Sequence, residues 1–444
     1  MRKRKLADAH RRGRKFAVIV CGIAVLGAGG CSRSVLNYQI SESIGTLGEY
    51  ENNEPVETPK MQADREIEES EAALEAERLE VLEQAEALAD SYLYEEAISL
   101  LEGNESLTGD ERAEEAIAEY QSAIYSLVAY EGDVVHLNFP NLIADTDLAL
   151  DGDSYAQTYS QNLITLSEFT GILNQLYEND YILIDIHTLA DETDDGFGDI
   201  TLTAATLLLP EGKKPLVLSV ENLNYAIARA GDGIATRLVL DADGEVAAVF
   251  TDSNGVSKTG AYDVIPVLEQ FIEEHPDFSY RGARGIIGLS GENGVFGYEI
   301  EEGSSGDYEQ NAQTVSQIAA KLKEDGWTFA SEGYSYSYMN DMTYDALVTD
   351  ITQWEDTVGV LVGECDTLIY PYGSEVEYTS EKSVWLTGSG YHYLIGLWAS
   401  DDYLTVTQTY LRQTRRAITG YLLENYSDYY TSIFNVSEII DSVR

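Results

Sequence analysis

Three consecutive segments decide the fold: GIIGLSG at residues 285–291, YEQNAQTVSQIAAKLKED at 308–325, and WTFASEG at 327–333. The first and third are short apolar runs, typical of strands that are buried on both faces. The middle segment has the apolar period of an amphipathic helix, and Gly326 follows it as a helix-ending residue. Strand, helix and strand in this order predict parallel strands joined by a right-handed crossover.

The same alternation extends to both sides of these segments. Further strands are predicted in DVVHLNF (133–139), YILIDIHTL (181–189), KPLVLSVEN (214–222), DTLIYPYG (366–373), YHYLIGLW (391–398) and DYLTVTQTYL (402–411). Further helices are predicted from near Ser167 and over 344–362, 380–387 and 417–434. Roughly six to eight such units favour a closed or nearly closed barrel, so the predicted fold class is α/β, a deformed (β/α) barrel.

Two elements depart from this alternation. The pairs Asp243-Gly244 and Asn254-Gly255 are turn signals between alternating runs and predict a β-hairpin inserted within residues 237–264. Residues 61–131 have helical periodicity instead, with a turn near Ser91. They resemble one tetratricopeptide-type helical hairpin with an additional helix, which must cover its apolar face on itself, on the barrel or on a partner protein.

The composition is strongly acidic: 78 Asp and Glu against 27 Lys and Arg give a net charge of −51. This charge repels phosphate backbones, so nucleic acid is excluded as a partner. A soluble, self-repelling surface explains the acidity, and attraction to amines on an amino-sugar polymer is the alternative. The body contains a single cysteine, Cys365, so no internal disulfide is expected.

The first residues, MRKRKLADAHRRGRKFAVIVCGIAVLGAGGCSRS, have the features of an export segment. A basic start precedes the apolar run 16–30, which is short for a membrane span. Cys31 resembles the lipid-modified cysteine of bacterial lipoproteins, and an uncleaved signal anchor is the alternative. The predicted regions are an anchor segment (1–31), an acidic linker (32–60), the helical region (61–131), the barrel (132–434) and a C-terminal tail (435–444).

Residues 134–425 resemble the polysaccharide deacetylase (NodB-homology) family, in its membrane-anchored Gram-positive branch. The segments that carry the resemblance are NLITLSEFTGILNQLYENDYILIDIHTLAD (162–191), PEGKKPLVLSVENLNY (210–225), PDFSYRGARGIIGLSG (276–291), EDGWTFASEGYSYSYM (324–339), LIYPYG (368–373) and YLRQTRRAITGY (410–421). The resemblance implies a deformed (β/α) barrel that acts on N-acetylated glycans. In active members a divalent metal, usually zinc, polarises the acetyl carbonyl and a carboxylate serves as base.

The catalytic motifs of that family are altered in this sequence. Two aspartates of the first motif fall on Glu221 and Asn222, and two histidines of the second fall on Glu332 and Tyr336. An amide and a phenol are poor zinc ligands. We therefore expect no metal and no other cofactor, and Glu221 and Glu332 are the remaining candidates for catalysis. A weak Ca²⁺ or Mg²⁺ site built from Glu221, Asn222 and Glu332 is the alternative.

Tyrosines are concentrated at the predicted ends of two barrel strands, where a site is expected. The third family motif is retained as YPYG at 370–373. Tyrosine offers an apolar face and a hydroxyl tip, which suits sugar rings, although the same residues also fit barrel packing. The predicted binding residues are Asn222, Tyr334, Tyr336, Tyr370 and Tyr372.

These features predict an extracytoplasmic protein, anchored to the membrane only through its N-terminus. Its expected partner is a cell-wall or other extracellular glycan, bound without hydrolysis. Two alternatives remain: a working hydrolase that removes N-acetyl groups with a variant site, and an envelope scaffold that recruits proteins through residues 61–131.

Overall fold

The computed structural model describes residues 58–194, 196, 200–301, 303, 307–397 and 403–444. Cys31 and the rest of the predicted anchor and linker up to residue 57 lie outside these ranges, so their roles stay predictions. Within the described ranges, none of the helices combines the length and the apolar character that crossing a membrane requires.

Three helices form the N-terminal region: α1 (Pro59–Asp90), α2 (Tyr94–Gly103) and α3 (Glu111–Ser126). They share a small core made of Val81, Ala85, Ala97, Leu101, Leu107 and Ala113. The side chain of Asp110 caps α3 by accepting from the backbone N–H of Arg112. At the turn between α1 and α2, Tyr92 is buried against Tyr280, and its hydroxyl donates to the carbonyl of Asp277 at 2.9 Å. The helical region therefore packs on the barrel.

Seven parallel strands form the barrel. They are β1 (Val135–Phe139), β2 (Lys214–Val220), β3 (Ile286–Leu289), β4 (Thr328–Ser331), β5 (Thr367–Ile369), β6 (Tyr393–Leu397) and β7 (Leu411–Ala417). Each strand pairs with the next one along the chain, and β7 pairs with β1. The ring is closed, which confirms the predicted barrel.

Six helices in the barrel region follow the chain between and after these strands: α4 (Leu166–Glu178), α5 (Val264–Glu274), α6 (Tyr308–Asp325), α7 (Tyr344–Trp354), α8 (Glu381–Gly388) and α9 (Gly420–Asn425). A π-helical turn, Glu355–Gly359, and a short helix, Val360–Val362, extend α7. Shorter α-helices cover Thr146–Ala149, Ala156–Asn162 and Val436–Ile439. Short 3₁₀ turns cover Glu105–Leu107, Ile186–Leu189, Pro276–Phe278, Tyr280–Gly282, Pro371–Gly373 and Ser427–Tyr429.

The predicted hairpin insertion is confirmed as a three-stranded antiparallel sheet of Arg237–Leu240, Val246–Thr251 and Ser257–Gly260. In its two turns the glycines have φ near +88° and +74°, as the sequence signals predict. Strand Tyr181–Leu183 adds to β2, and Leu404–Val406 adds antiparallel to β7. The small strand pairs are Val128–Ala129 with Leu208–Leu209, Leu142–Ile143 with Ile164–Thr165, and Ala190–Asp194 with Ile200–Ala204.

Three predicted elements are corrected. The strand predicted at 181–189 ends at Leu183, because the side chain of Asp185 caps a 3₁₀ turn by accepting from the N–H of His187. The strand predicted at 402–411 is a hairpin whose second arm is β7. The helix predicted over 417–434 is reduced to α9 and a 3₁₀ turn, because β7 continues to Ala417 to pair with both β6 and β1.

His187 forms an ionic cluster at the opposite end of the barrel from the strand carboxyl ends. Its Nδ1 lies 2.6 Å from Asp185 and its Nε2 lies 3.1 Å from Asp366, just before β5. Burial opposes the charged imidazole, but the two carboxylates outweigh burial and raise the pKa of His187 to about 10. The charged ring therefore ties the 3₁₀ turn to the start of β5.

Candidate functional site

A cavity of about 280 Å³ opens among the residues that follow the carboxyl ends of β2, β3 and β4. In a closed parallel barrel this end hosts the functional site. Its lining includes the carboxyl group of Glu332, Ser290 and the amides of Asn222 and Asn224. Asn222 adopts a left-handed conformation with φ of 64°, which is uncommon for a residue other than glycine and marks a sharp turn directly after β2.

Glu221, predicted as a catalytic carboxylate, forms a buried ion pair with Arg415 of β7. Nη2 of Arg415 contacts Oε1 of Glu221, and its Nη1 donates to the carbonyl of Gly396 at 3.2 Å. The Arg415 side chain is only 2% exposed. Because a buried carboxylate needs a compensating charge, Arg415 is the partner that stabilises Glu221 in the interior.

Glu332, the second predicted catalytic residue, is fully buried beside this pair. Burial, followed by the negative charge of Glu221, raises its pKa well above the ordinary value. Its Oε1 has no hydrogen-bond donor among the described residues. A neutral Glu332 is in agreement with both observations, because a buried oxygen without a donor costs less on a neutral carboxyl group than on a charged one. The positive charge of Arg415 therefore lies beside both carboxyl groups.

Tyr336 completes this cluster. Its hydroxyl donates to Oε2 of Glu221 at 3.3 Å, and its ring lines the cavity. Burial and the neighbouring Glu221 raise its pKa, so the phenol stays protonated. The loop that carries Tyr336 is held by Asp350 of α7, whose carboxylate accepts from the backbone N–H groups of Tyr334 and Ser335 at 3.0 Å.

Tyr372 lines the cavity together with Tyr336, and Tyr338 packs against Tyr372. It stacks on Tyr338 with ring centroids 4.5 Å apart and meets Tyr336 edge-on at 5.0 Å. Tyr372 and Tyr338 are each 53% exposed. The two rings cover each other's facing sides, and their half-exposed outer surfaces offer apolar ring area and hydroxyl tips beside a polar cavity.

The other two predicted binding tyrosines do not line the cavity. Tyr370 is fully buried in an apolar cluster with Leu347 and Leu386, so its placement at the cavity mouth is corrected. Tyr334 turns away from the cavity: its hydroxyl donates to Glu301, and its carbonyl accepts from the backbone N–H groups of Gly291 and Glu292. It supports the loop after β3 and has no surface in the cavity.

Below the cavity, the barrel interior is polar on the side of β1, β2 and β7. His136 is buried, with Nδ1 at 3.1 Å from Gln413 and Nε2 at 2.9 Å from Ser219. The Ser219 hydroxyl donates to Asn138 at 3.0 Å. Burial, together with the nearby Arg415, lowers the pKa of His136 to about 3, so this imidazole is neutral. A neutral hydrogen-bond network thus lies under the charged cluster.

Arg415 is the functional residue that sequence reasoning missed. Arg412, Arg415 and Arg416 are near neighbours in LRQTRRA, and nothing local distinguishes them. The period-2 alternation of a strand places Gln413 and Arg415 on the interior face, but this signal is readable only once 411–417 is recognised as a strand. Ser290 and Asn224, also missed, could have been found as polar residues directly after or near predicted strand ends.

The residues at this site do not fit the divalent metal that the family resemblance implies. Glu221 is committed to a guanidinium, Glu332 is neutral, and the Tyr336 hydroxyl donates instead of accepting. A second cation beside Arg415 would also be repelled. Among the described residues, no group of three or more His, Cys, Asp or Glu side chains is arranged to hold a metal ion.

No protein-family model and no curated protein matches this sequence. Among solved structures, the chain is similar to the Streptococcus pyogenes deacetylase PplD in complex with acetate. The match covers 71% of this chain and 100% of that chain, with 11% identity and a TM-score of 0.37. This likeness is too distant to establish a family, so the fold assignment rests on the strand order described above.

Proposed function

We propose that this protein binds a cell-wall or other extracellular glycan at the carboxyl end of its barrel, without hydrolysing it. The observation that carries the proposal is the stacked pair Tyr338 and Tyr372 at the rim of a polar cavity. A sugar ring presents apolar C–H faces and hydroxyl edges, which match an aromatic platform beside amide, hydroxyl and carboxyl groups.

The cavity is small for an extended ligand. Its volume of about 280 Å³ is near the lower limit of small-molecule sites, roughly 300 Å³. We therefore propose that one sugar unit enters and that its neighbours in the polymer lie across Tyr338 and Tyr372. The acidic chain would also favour glycans that carry free amines.

Binding without hydrolysis is supported by the state of the two carboxyl groups. A deacetylation that uses a metal needs a Lewis-acidic ion and a free base. Here Glu221 is occupied by Arg415 and Tyr336, and Glu332 is neutral. The chemistry implied by the family resemblance is therefore expected to be lost.

Calorimetric titration of the full chain with chitooligosaccharides and peptidoglycan fragments tests the proposal. Replacing Tyr372 or Tyr338 by Ala should weaken binding about 2- to 12-fold, the equivalent of ~0.5–1.5 kcal/mol for one aromatic contact. Tyr125→Ala is the matched control, since Tyr125 is an exposed tyrosine on α3, outside the barrel. Stoichiometric zinc in the purified protein together with acetate release would overturn the proposal, as would equal binding by all three variants.

A metal-free hydrolase is the second candidate. The observation in its favour is that the two carboxyl groups have different environments: burial raises the pKa of Glu332, whereas Glu221 is paired with Arg415. Two carboxyl groups in unequal environments are an arrangement found in acid–base catalysis. In that case Glu332 donates a proton and Glu221 activates water. Acetate release that requires no metal and disappears in both Glu332→Gln and Glu221→Gln would establish this candidate over the binding protein.

We propose an extracytoplasmic location with an anchor within residues 1–31. Labelling of growing cells with a clickable fatty acid should mark the wild type and Cys365→Ser, but not Cys31→Ser, if Cys31 carries lipid. Cys365 is the control because its thiol lies in the barrel, where it donates to the carbonyl of Phe329. Absence of label in the wild type would favour the signal anchor, and a label that persists in Cys31→Ser would place the lipid on another residue.

A protein partner that binds residues 61–131 remains a separate proposal. Deleting these residues and comparing co-purified proteins with those of the full chain tests it. Loss of glycan binding in the same deletion would instead assign the helical region to support of the barrel, through Tyr92.

A further inference from the structure

We infer that Arg415 is a built-in cation, which supplies from within the chain the positive charge that Glu221 and Glu332 would otherwise have to take from a bound ion. The guanidinium and a divalent cation are then mutually exclusive at this end of the barrel. The positive charge of Arg415 is then what distinguishes this site from a metal site.

The geometry places Arg415 at the centre of the carboxyl cluster. It comes from β7, whereas Glu221 follows β2 and Glu332 follows β4, so three separate strands bring these groups together. Nη2 of Arg415 contacts Glu221, and Nη1 is fixed by the carbonyl of Gly396. A guanidinium held from two sides in a buried position is an ordered part of the site.

The acidic groups of this cluster also have a single basic group as their counter-charge. Oε2 of Glu221 is used by Tyr336, and none of the described residues that line the cavity is basic, so Arg415 is the counter-charge of the cluster. Removing the guanidinium would therefore leave two acidic groups facing each other without a counter-charge. Carboxylate oxygens without a counter-charge are the ligands that Ca²⁺ and Mg²⁺ prefer. Arg415 is thus the group whose loss should open the site to a cation.

Arg412 provides a matched comparison on the same strand. It also pairs with a glutamate, through a 2.9 Å contact between its Nη2 and Oε1 of Glu375. Its neighbours on the strand, Leu411 and Gln413, are buried, whereas Arg412 lies over the ring of Tyr403 and is partly exposed. Loss of Arg412 removes an Arg–Glu pair without uncovering two neighbouring carboxyl groups.

The test compares the full chain with the variants Arg415→Met, Arg415→Lys and Arg412→Met, and with the double variant Arg415→Met/Glu221→Gln. Thermal unfolding is recorded in chelator and in about 1 mM Mg²⁺, Ca²⁺ or Zn²⁺. Only Arg415→Met should respond, with a melting temperature raised by about 3 °C or more. Arg415→Lys keeps the charge, and the double variant loses a carboxylate, so neither should respond.

A cation response of the same size in the wild type would overturn the inference, as would a folded Arg415→Met that does not respond to any of the three ions. If Arg415→Met does not fold in any of these conditions, calorimetric titration of the wild type with the same ions decides. If the wild type binds an ion and Glu332→Gln does not, the inference is contradicted. If the wild type binds none of the ions, the inference is supported. Metal ions are the only ligands used, so the result does not depend on the glycan proposed above.

Discussion

Removing the guanidinium of Arg444 is expected to destabilise the barrel by about 3 kcal/mol. Arg444 donates from Nε and Nη2 to the two oxygens of Glu168 at 2.6 and 2.8 Å. Both side chains are essentially inaccessible to water, 1% and 0% exposed. The same guanidinium also donates to the carbonyls of Ser160 and Leu163.

The expected loss of stability depends on the hydrogen bonds that Glu168 retains in Arg444→Ala. Breaking a buried ion pair by removing one partner costs about 3–5 kcal/mol, because a buried charge is left behind. Glu168 still accepts from the backbone N–H groups of Thr165 and Asp441 at 2.8 and 3.1 Å, so we expect the lower end of this range. The hydrogen bonds to the two carbonyls are lost as well, so about 3 kcal/mol is the minimum expected cost.

Urea denaturation of the wild type and Arg444→Ala at neutral pH measures the difference in the free energy of unfolding. The slope of this free energy against urea concentration is compared between the proteins. Arg112→Ala is the control: Arg112 pairs with Glu75 and Asp110 but is itself 43% exposed, so its loss should cost clearly less than the loss of Arg444. The double variant Glu168→Gln/Arg444→Met should recover part of the loss. If Arg444→Ala costs no more than Arg112→Ala, the reasoning from burial is wrong.

Three further predictions concern the site and the base of the barrel. Replacing Asp350 by Ala frees the loop that carries Tyr336, so calorimetry should show weaker glycan binding, and an unchanged affinity would contradict a positioning role. A methyl group at Gly288 would lie 2.9 Å from the carboxyl of Glu332, so Gly288→Ala should lower the melting temperature through overpacking worth about 1–3 kcal/mol and reduce binding. The pKa of His187 is raised to about 10, above its unfolded value, so its stabilisation is complete below pH ~6.5 and declines as pH rises towards 10. His187→Asn should flatten the stability–pH curve between these limits, and an unaltered curve would refute the assignment.

Local patterns predicted the frame of the barrel well. The helix expected at 308–325 is observed with those bounds, because its apolar period is regular and Gly326 ends it with φ of 104°. The two turns of the inserted sheet were equally visible, since Asp-Gly and Asn-Gly supply the positive φ that such turns need. These elements are determined by contacts within a few residues.

The positions of side chains were harder to predict, because successive residues of a strand point to opposite faces. An error of one residue therefore places a side chain on the wrong face. Ile369 ends β5 in the apolar cluster that includes Ala330 and Tyr393, so the next residue, Tyr370, turns to the opposite side and packs under α8. Tyr372 reaches the cavity through a left-handed conformation, with φ of 55°. A motif match alone could not tell these two tyrosines apart.

The ion pair between Glu221 and Arg415 joins residues 194 positions apart. Their proximity depends on the order of strands around the closed ring, which the sequence pattern does not specify. The altered motif predicted that the site differs from a metal centre. Only the three-dimensional arrangement shows that the cation at this site is the guanidinium of Arg415.

Closure of the barrel affects how copies of this chain can associate. Each of β1–β7 has a hydrogen-bonded neighbour on both sides, so the ring offers no open strand to another molecule. One of the two outer strands of the inserted sheet, Ser257–Gly260, does have an unpaired side, and it carries Lys258. A charged residue on a four-residue edge discourages intermolecular strand addition, so fibril-like aggregation from the folded state should be slow.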